Sequence, residues 1–125
     1  MTTALGDIKN VATAYAEAWL AGDAEKALSF IADDILCEAP SGPVKGIAAY
    51  REFLTPFCQS VTNAELLELF VDGDHAGEFY RVDTPVAKNY FGAEHLTVSN
   101  GKISHIVSIF DMAPMMKAQA ANQGN

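Results

Sequence analysis

The sequence predicts an α+β fold, a cone-shaped barrel with three N-terminal helices packed on a curved antiparallel β-sheet. Three observations carry this. Ile8, Val11, Ala12, Tyr15, Ala18 and Trp19 recur at the spacing of one helical face. After Val61 the periodicity changes to the two-residue alternation of strands, punctuated by Asp72-Gly73-Asp74, Thr84-Pro85 and Asn100-Gly101. Helical segments therefore come first and strands last, the order that segregates helices to one side of an antiparallel sheet.

Taken in order, Asp7 is placed to N-cap the first helix, and Gly22 suits its left-handed C-terminal position. Asp23 caps a second, shorter helix with Ala27, Leu28, Phe30 and Ile31 facing inward, and Asp33-Asp34 ends the helical part. Residues 35–39 read as a short strand stopped by Pro40, and SGPVKG as a loop. Ile47, Tyr50, Phe53, Leu54 and Phe57 return to helical spacing, with Pro56 marking the end of regular helix. Strands follow over 66–71, 76–83, 88–98 and 103–110; Asn100-Gly101 is a strong hairpin signal because type I′ turns need positive φ at both central residues. One domain is expected over residues 1–111, with 112–125 a flexible tail that has little to bury.

The formal charge of −8, from 16 acidic and 8 basic residues, argues against nucleic acid or an anionic membrane as partner. Apolar runs are a few residues long, against the roughly 20 that span a bilayer, and MTTALGDIKN lacks the basic start and apolar block of a secretory signal. The expected location is the cytoplasm. Cys37 and Cys58 have no ligand-like spacing and read as reduced, mostly buried thiols, with a disulfide as the alternative. His75, His95 and His105 show no HxH or HExxH pattern, and no glycine loop cradles a phosphate, so neither a metal nor another cofactor is implied.

The stretches YAEAWLAGDAEKALSFIADDI, AAYREF and SNGKISHIVSIFD resemble the nuclear transport factor 2-like superfamily, and within it the SnoaL-like group of small cyclases, isomerases and hydrolases. The resemblance covers nearly the whole chain and implies the cone fold. Steroid Δ-isomerases resemble the chain through AYAEAWLAGD, IADDI and AAYREF; this implies that Tyr15 holds an oxyanion and that a protonated carboxyl falls near Glu94. Their general base falls on Ala39, which accepts no proton, and Glu38 beside it points to the opposite face of a strand. Limonene-epoxide hydrolases resemble it through YRVD and GKISHIVSIFD, which implies a water-activating Asp83 held by Arg81; their second aspartate falls on Ser108, and their helper tyrosine and asparagine on Cys37 and Ala39.

Arg81 and Asp83 are two apart on one strand and so share a face. The two resemblances put the phase Gly77, Phe79, Arg81, Asp83 inside the cone, where Asp83 would stay ionised beside a fixed guanidinium; the alternative is a solvated ion pair at a strand end. Glu94 shares an inward phase with Leu96 and Val98, where desolvation would favour its neutral form. The predicted catalytic set is Asp83, Arg81 and Glu94, and the predicted lining is Tyr15, Trp19, Cys37, Phe53, Phe57, Phe79, Ser108 and Phe110. His95, Thr97, His105, Val107 and Ile109 fall on the outer phase, an apolar strip that predicts a homodimer through the outer face of the sheet. The expected ligand is a small apolar or mixed-polarity molecule. The expected function is either cofactor-independent hydrolase or isomerase chemistry, or ligand binding without catalysis.

Overall fold

The structure is a computed structural model that describes residues 5–123. Its elements run α1 (Leu5–Leu20), α2 (Ala24–Leu28), β1 (Ile31–Ala39), β2 (Gly42–Lys45), α3 (Ile47–Ser60), β3 (Asn63–Asp72), β4 (His75–Thr84), β5 (Ala87–Ser99), β6 (Lys102–Phe110) and α4 (Ala113–Gln123). The six strands form one sheet in the order β2-β1-β6-β5-β4-β3, antiparallel except where β1 pairs parallel with β6. The first three helices cover its concave side, so the predicted α+β cone is the observed fold.

Helix α1 buries Ile8, Ala12, Tyr15, Ala18 and Trp19, the predicted stripe, against the sheet. It begins at Leu5, so Asp7 lies in its first turn rather than at its cap. Gly22 takes a φ of 83°, as its C-terminal position demands, and Asp23 caps α2 by accepting from the Lys26 N–H at 3.1 Å. Helix α2 stops at Leu28, earlier than expected, because Ile31 already pairs with Ile103 of β6. Asp33 and Asp34 sit within β1, in an irregularity between Ile31 and Leu36. The expected SGPVKG loop is a hairpin strand, β2, pairing with residues 36–39.

Pro56 does not end α3, which runs on to Ser60. Its ring sits on the exposed side, while Tyr50, Leu54 and Cys58, spaced by four, stay buried on the other. The loss of one backbone hydrogen bond is outweighed by that packed face. The segment expected as a flexible tail folds as α4, which begins where Asp111 Oδ1 accepts from the Ala113 N–H at 2.9 Å and is largely exposed beyond it.

Curvature comes from extra residues in the ladder. One falls at Leu67 in β3, one at Ser104 in β6, and one where Asp83 of β4 faces both Lys88 and Asn89 of β5. Each bends a strand and increases its local twist. The bent sheet and the helices enclose a core containing Ile8, Trp19, Ile35, Leu96, Ile103 and Ile106.

Candidate functional site

The bulge opposite Asp83 decides which side chains enter the cone. Thr84 pairs with Ala87, and a regular hairpin from that point would set Gly77, Phe79, Arg81 and Asp83 on the face of Glu94. Asn89 instead takes a φ of 51°, the extra residue is absorbed, and Val82 pairs with Tyr90, Tyr80 with Gly92 and Glu78 with Glu94. A shift of one residue reverses every side chain of the strand. Ala76, Glu78, Tyr80, Val82 and Thr84 therefore face inward, and the expected inward phase is corrected.

Arg81 and Asp83 lie on the outer side and form the clamp that holds this bulge. Asp83 Oδ1 accepts from the Asn89 N–H at 2.8 Å, and Arg81 reaches Asn89 Oδ1 at 3.4 Å, Glu65 at 3.4 Å and Asp83 at 3.6 Å. The Asn89 amide and then the Arg81 charge hold the Asp83 carboxyl below its usual range. Phe79, also expected in the lining, is outside with Phe70, its ring centroid 6.0 Å from its partner's.

Inside, Glu78, Glu94 and Ser108 are consecutive cross-strand partners on β4, β5 and β6, all buried. They make a polar row across an otherwise apolar sheet face. Glu78 Oε1 accepts from Trp19 Nε1 at 3.3 Å. Among the described residues, none outside the pair donates to Glu78 Oε2 or Glu94 Oε1. A hydrogen bond between the two carboxyls exists only when one of them carries a proton. Burial first, then the Glu78 charge and a hydrogen bond to Glu78, raise the Glu94 pKa well above the usual carboxyl value. Burial also raises that of Glu78, but hydrogen bonds to Glu94 and Trp19 oppose the rise. Two buried carboxyls in this position favour sharing one proton over ionising together, and the neutral form is favoured at both, by burial first.

Above this row is a cavity of about 540 Å³. Trp19 of α1, Tyr50, Phe53 and Phe57 of α3, Tyr80 of β4, Glu94 of β5, and Ser108 and Phe110 of β6 line it. Its mouth lies among Glu52, Pro56, the 84–87 turn, and Pro114 and Met115 at the start of α4. Tyr90 also lines it and donates its hydroxyl to the Asp111 carbonyl, tying β5 to the start of α4. The Tyr80 ring crosses Gly92 of the next strand, where a Cβ would collide with it, 2.8 Å from Cε1. Tyr80 and Trp19 meet edge to face with centroids 4.7 Å apart.

The structure therefore brings Trp19, Phe53, Phe57, Glu94, Ser108 and Phe110 together as expected. Tyr15 is buried one layer behind, its hydroxyl hydrogen-bonded to that of Tyr50, which reaches the cavity. Burial, then the Glu94 charge, raise both phenol pKa values, so both hydroxyls remain protonated donors. Cys37 is core rather than lining, its thiol pushed up by burial to about 12. Glu38 points outward and meets His105 Nε2 at 2.8 Å. Glu78, Tyr50, Tyr80 and Tyr90 escaped the sequence reading. The only signal on β4 was slight: Ala76, Tyr80 and Val82 share their phase with Glu78, and Phe79 shares its phase with Gly77, Arg81 and Asp83. Among the described residues, no group of three His, Cys, Asp or Glu side chains could hold a metal ion, and no helix is long and apolar enough to cross a membrane.

A bent sheet closed by helices over a pocket with a buried acidic floor defines an α+β cone of the nuclear transport factor 2-like superfamily. The SnoaL-like domain family model matches residues 12–106, and the chain belongs to that family. A crystal structure from Kribbella flavida DSM 17836 is similar at 34% identity and a TM-score of 0.86, covering 93% of this chain and 96% of that one. A putative ketosteroid isomerase from the same organism shares the fold at 19% identity and a TM-score of 0.73, covering 87% and 81%. A putative polyketide cyclase from Sinorhizobium meliloti shares it at 21% identity and a TM-score of 0.69, covering 79% and 93%. No curated protein matches the chain.

Proposed function

We propose that the protein binds a small, mostly apolar molecule in the cone and performs cofactor-independent proton transfer or water addition on it, with Glu94 as the acid–base group. The observation that carries this is Glu94 at the cavity floor, buried and backed by Glu78. A carboxyl whose neutral form is favoured by burial can donate its proton to a bound molecule and take one back. Tyr50 and Ser108 add hydroxyl donors on the same floor, and Glu78 and Trp19 orient the acid. Arg81 and Asp83 have no part in this chemistry.

The competing reading is a binding domain without turnover, favoured by Ala39, which offers no second base. Trp19, the single tryptophan, lines the cavity, so its emission reports occupancy. Titration with a small epoxide panel and a 3-keto-Δ5-steroid, alongside turnover assays on wild type and Glu94→Gln, separates the readings. Turnover abolished in the variant supports the enzyme; saturable quenching with no turnover in either protein supports binding alone. Absence of quenching by every compound would sink both.

We also propose a homodimer through the outer sheet face. Phe70, Phe79, Phe91 and Ile109 stand 50%, 48%, 60% and 61% exposed on neighbouring strands there. An apolar patch spread over adjacent strands of this kind suits a self-complementary two-fold interface.

A further inference from the structure

The pocket has an electrostatic asymmetry that its apolar character hides. No Lys, Arg or His among the described residues lines it. The titratable groups within electrostatic reach of Glu94 are Tyr15 from α1, Cys37 from β1, Tyr50 and Cys58 from α3, and Glu78 and Tyr80 from β4. None is a cation. Arg81, on the same strand as Glu78, spends its guanidinium on Glu65, Asp83 and Asn89 outside the cone. A carboxyl pair sharing one proton keeps one negative charge, and burying it without a countercharge is costly. Glu94 Oε1, buried at the cavity floor, has no donor outside the pair among the described residues.

The walls suit the missing charge. Rings from α1, α3, β4, β5 and β6, among them Trp19, Tyr50, Tyr80, Tyr90 and Phe110, surround the space. Aromatic rings attract a desolvated cation through their quadrupoles. Glu52 at the mouth and the chain's net charge of −8 favour the approach of a cation over that of an anion.

We propose that the ligand of this pocket is an organic ammonium, a small apolar amine whose protonated nitrogen docks on Glu94 while its hydrocarbon part lies among the aromatic rings. This rests on the reading of the cavity as a small-molecule site and names the class of molecule it takes. The ammonium N–H groups supply the donors Glu94 Oε1 lacks, and its charge offsets that of the pair. A neutral ligand of the same shape gains the apolar contacts only.

The test compares 2-phenylethylamine with the near-isosteric 2-phenylethanol at pH 7.5, read by Trp19 emission and titration calorimetry. The amine is expected to bind at least tenfold more tightly, and that preference is expected to vanish in the double variant Glu78→Gln/Glu94→Gln. Equal affinity for the two compounds, or a preference that survives the double variant, overturns the ammonium assignment. Failure of both compounds to bind overturns the small-molecule site itself.

Discussion

Replacing Glu94 with Gln is expected to stabilise the protein at neutral pH and to leave it nearly unchanged in mild acid. Glu94 and Glu78 face each other as direct cross-strand partners, both buried. The folded-state pKa of Glu94 lies well above its ordinary value because burial and the Glu78 charge disfavour a second anion. The native state therefore holds a proton that the unfolded chain has released. A raised carboxyl pKa contributes stability that is fully present below the unfolded value and is lost as pH rises through the folded one. While Glu94 keeps its proton and the unfolded chain does not, each pH unit costs about 1.4 kcal/mol.

Gln is close to the same size, carries no charge, and can donate its amide to Glu78 Oε2, so the variant keeps the contact and loses the proton linkage. The expected gain between pH 5 and pH 7.5 is about 1–3 kcal/mol, a rise in Tm of roughly 3–10 °C at the upper pH for a domain of this size. Thermal denaturation of wild type and variant across that range measures it. The difference curve reports the Glu78–Glu94 pair and cancels groups outside it, including Asp83, whose lowered pKa confines its own effect to more acid solution. A difference that is flat with pH, or a variant less stable at pH 7.5 than at pH 5 relative to wild type, would refute the shared-proton description of the pair.

Three further outcomes follow from the geometry. Gly92→Ala drives a methyl group into the Tyr80 ring and should cost about 1–3 kcal/mol; chemical denaturation measures it, and the same substitution made in a Tyr80→Ala background should cost less. Asp83→Ala should lower Tm at pH 7 by freeing the Asn89 bulge yet leave Trp19 quenching by ligand in place; lost quenching at unchanged Tm would return Asp83 to the site. Its stabilising effect, set by a lowered pKa, is present above the ordinary aspartate value and fades as pH falls through the folded one, so the two Tm curves should converge in acid. Phe79→Glu, which places a charge at the centre of the outer apolar patch, should convert a dimer to a monomer in light scattering; a wild-type monomer at micromolar concentration would remove the interface.

How much of this was legible in the sequence depends on what kind of signal each feature leaves. The stripe on α1 and the Asn100-Gly101 turn are local patterns read directly from residue order, and both stand in the structure. The boundaries that moved were decided by partners distant in sequence. Ile31 left its expected helix for Ile103, Gly42–Lys45 became a strand by pairing with β1, and α3 crossed Pro56 because its buried face outweighed one missing hydrogen bond. Glu94, Leu96 and Val98 were placed inward correctly, since β5 alternates cleanly along that stretch.

The inversion of β4 has a different origin. Its two phases differ little in hydrophobic content, and the resemblances to two enzyme families favoured the one carrying Arg81 and Asp83. What reverses it is a single residue, Asn89, in a left-handed conformation that no alternation pattern records. The pair chosen as catalytic is the pair that stabilises this conformation, Asp83 through the Asn89 amide and Arg81 through its side-chain oxygen. Their role is structural: by holding the bulge they set Glu78 opposite Glu94. A charged pair on a strand next to a hairpin turn can serve the site by fixing which face the strand presents, and this chain shows that role displacing the one its motif suggested.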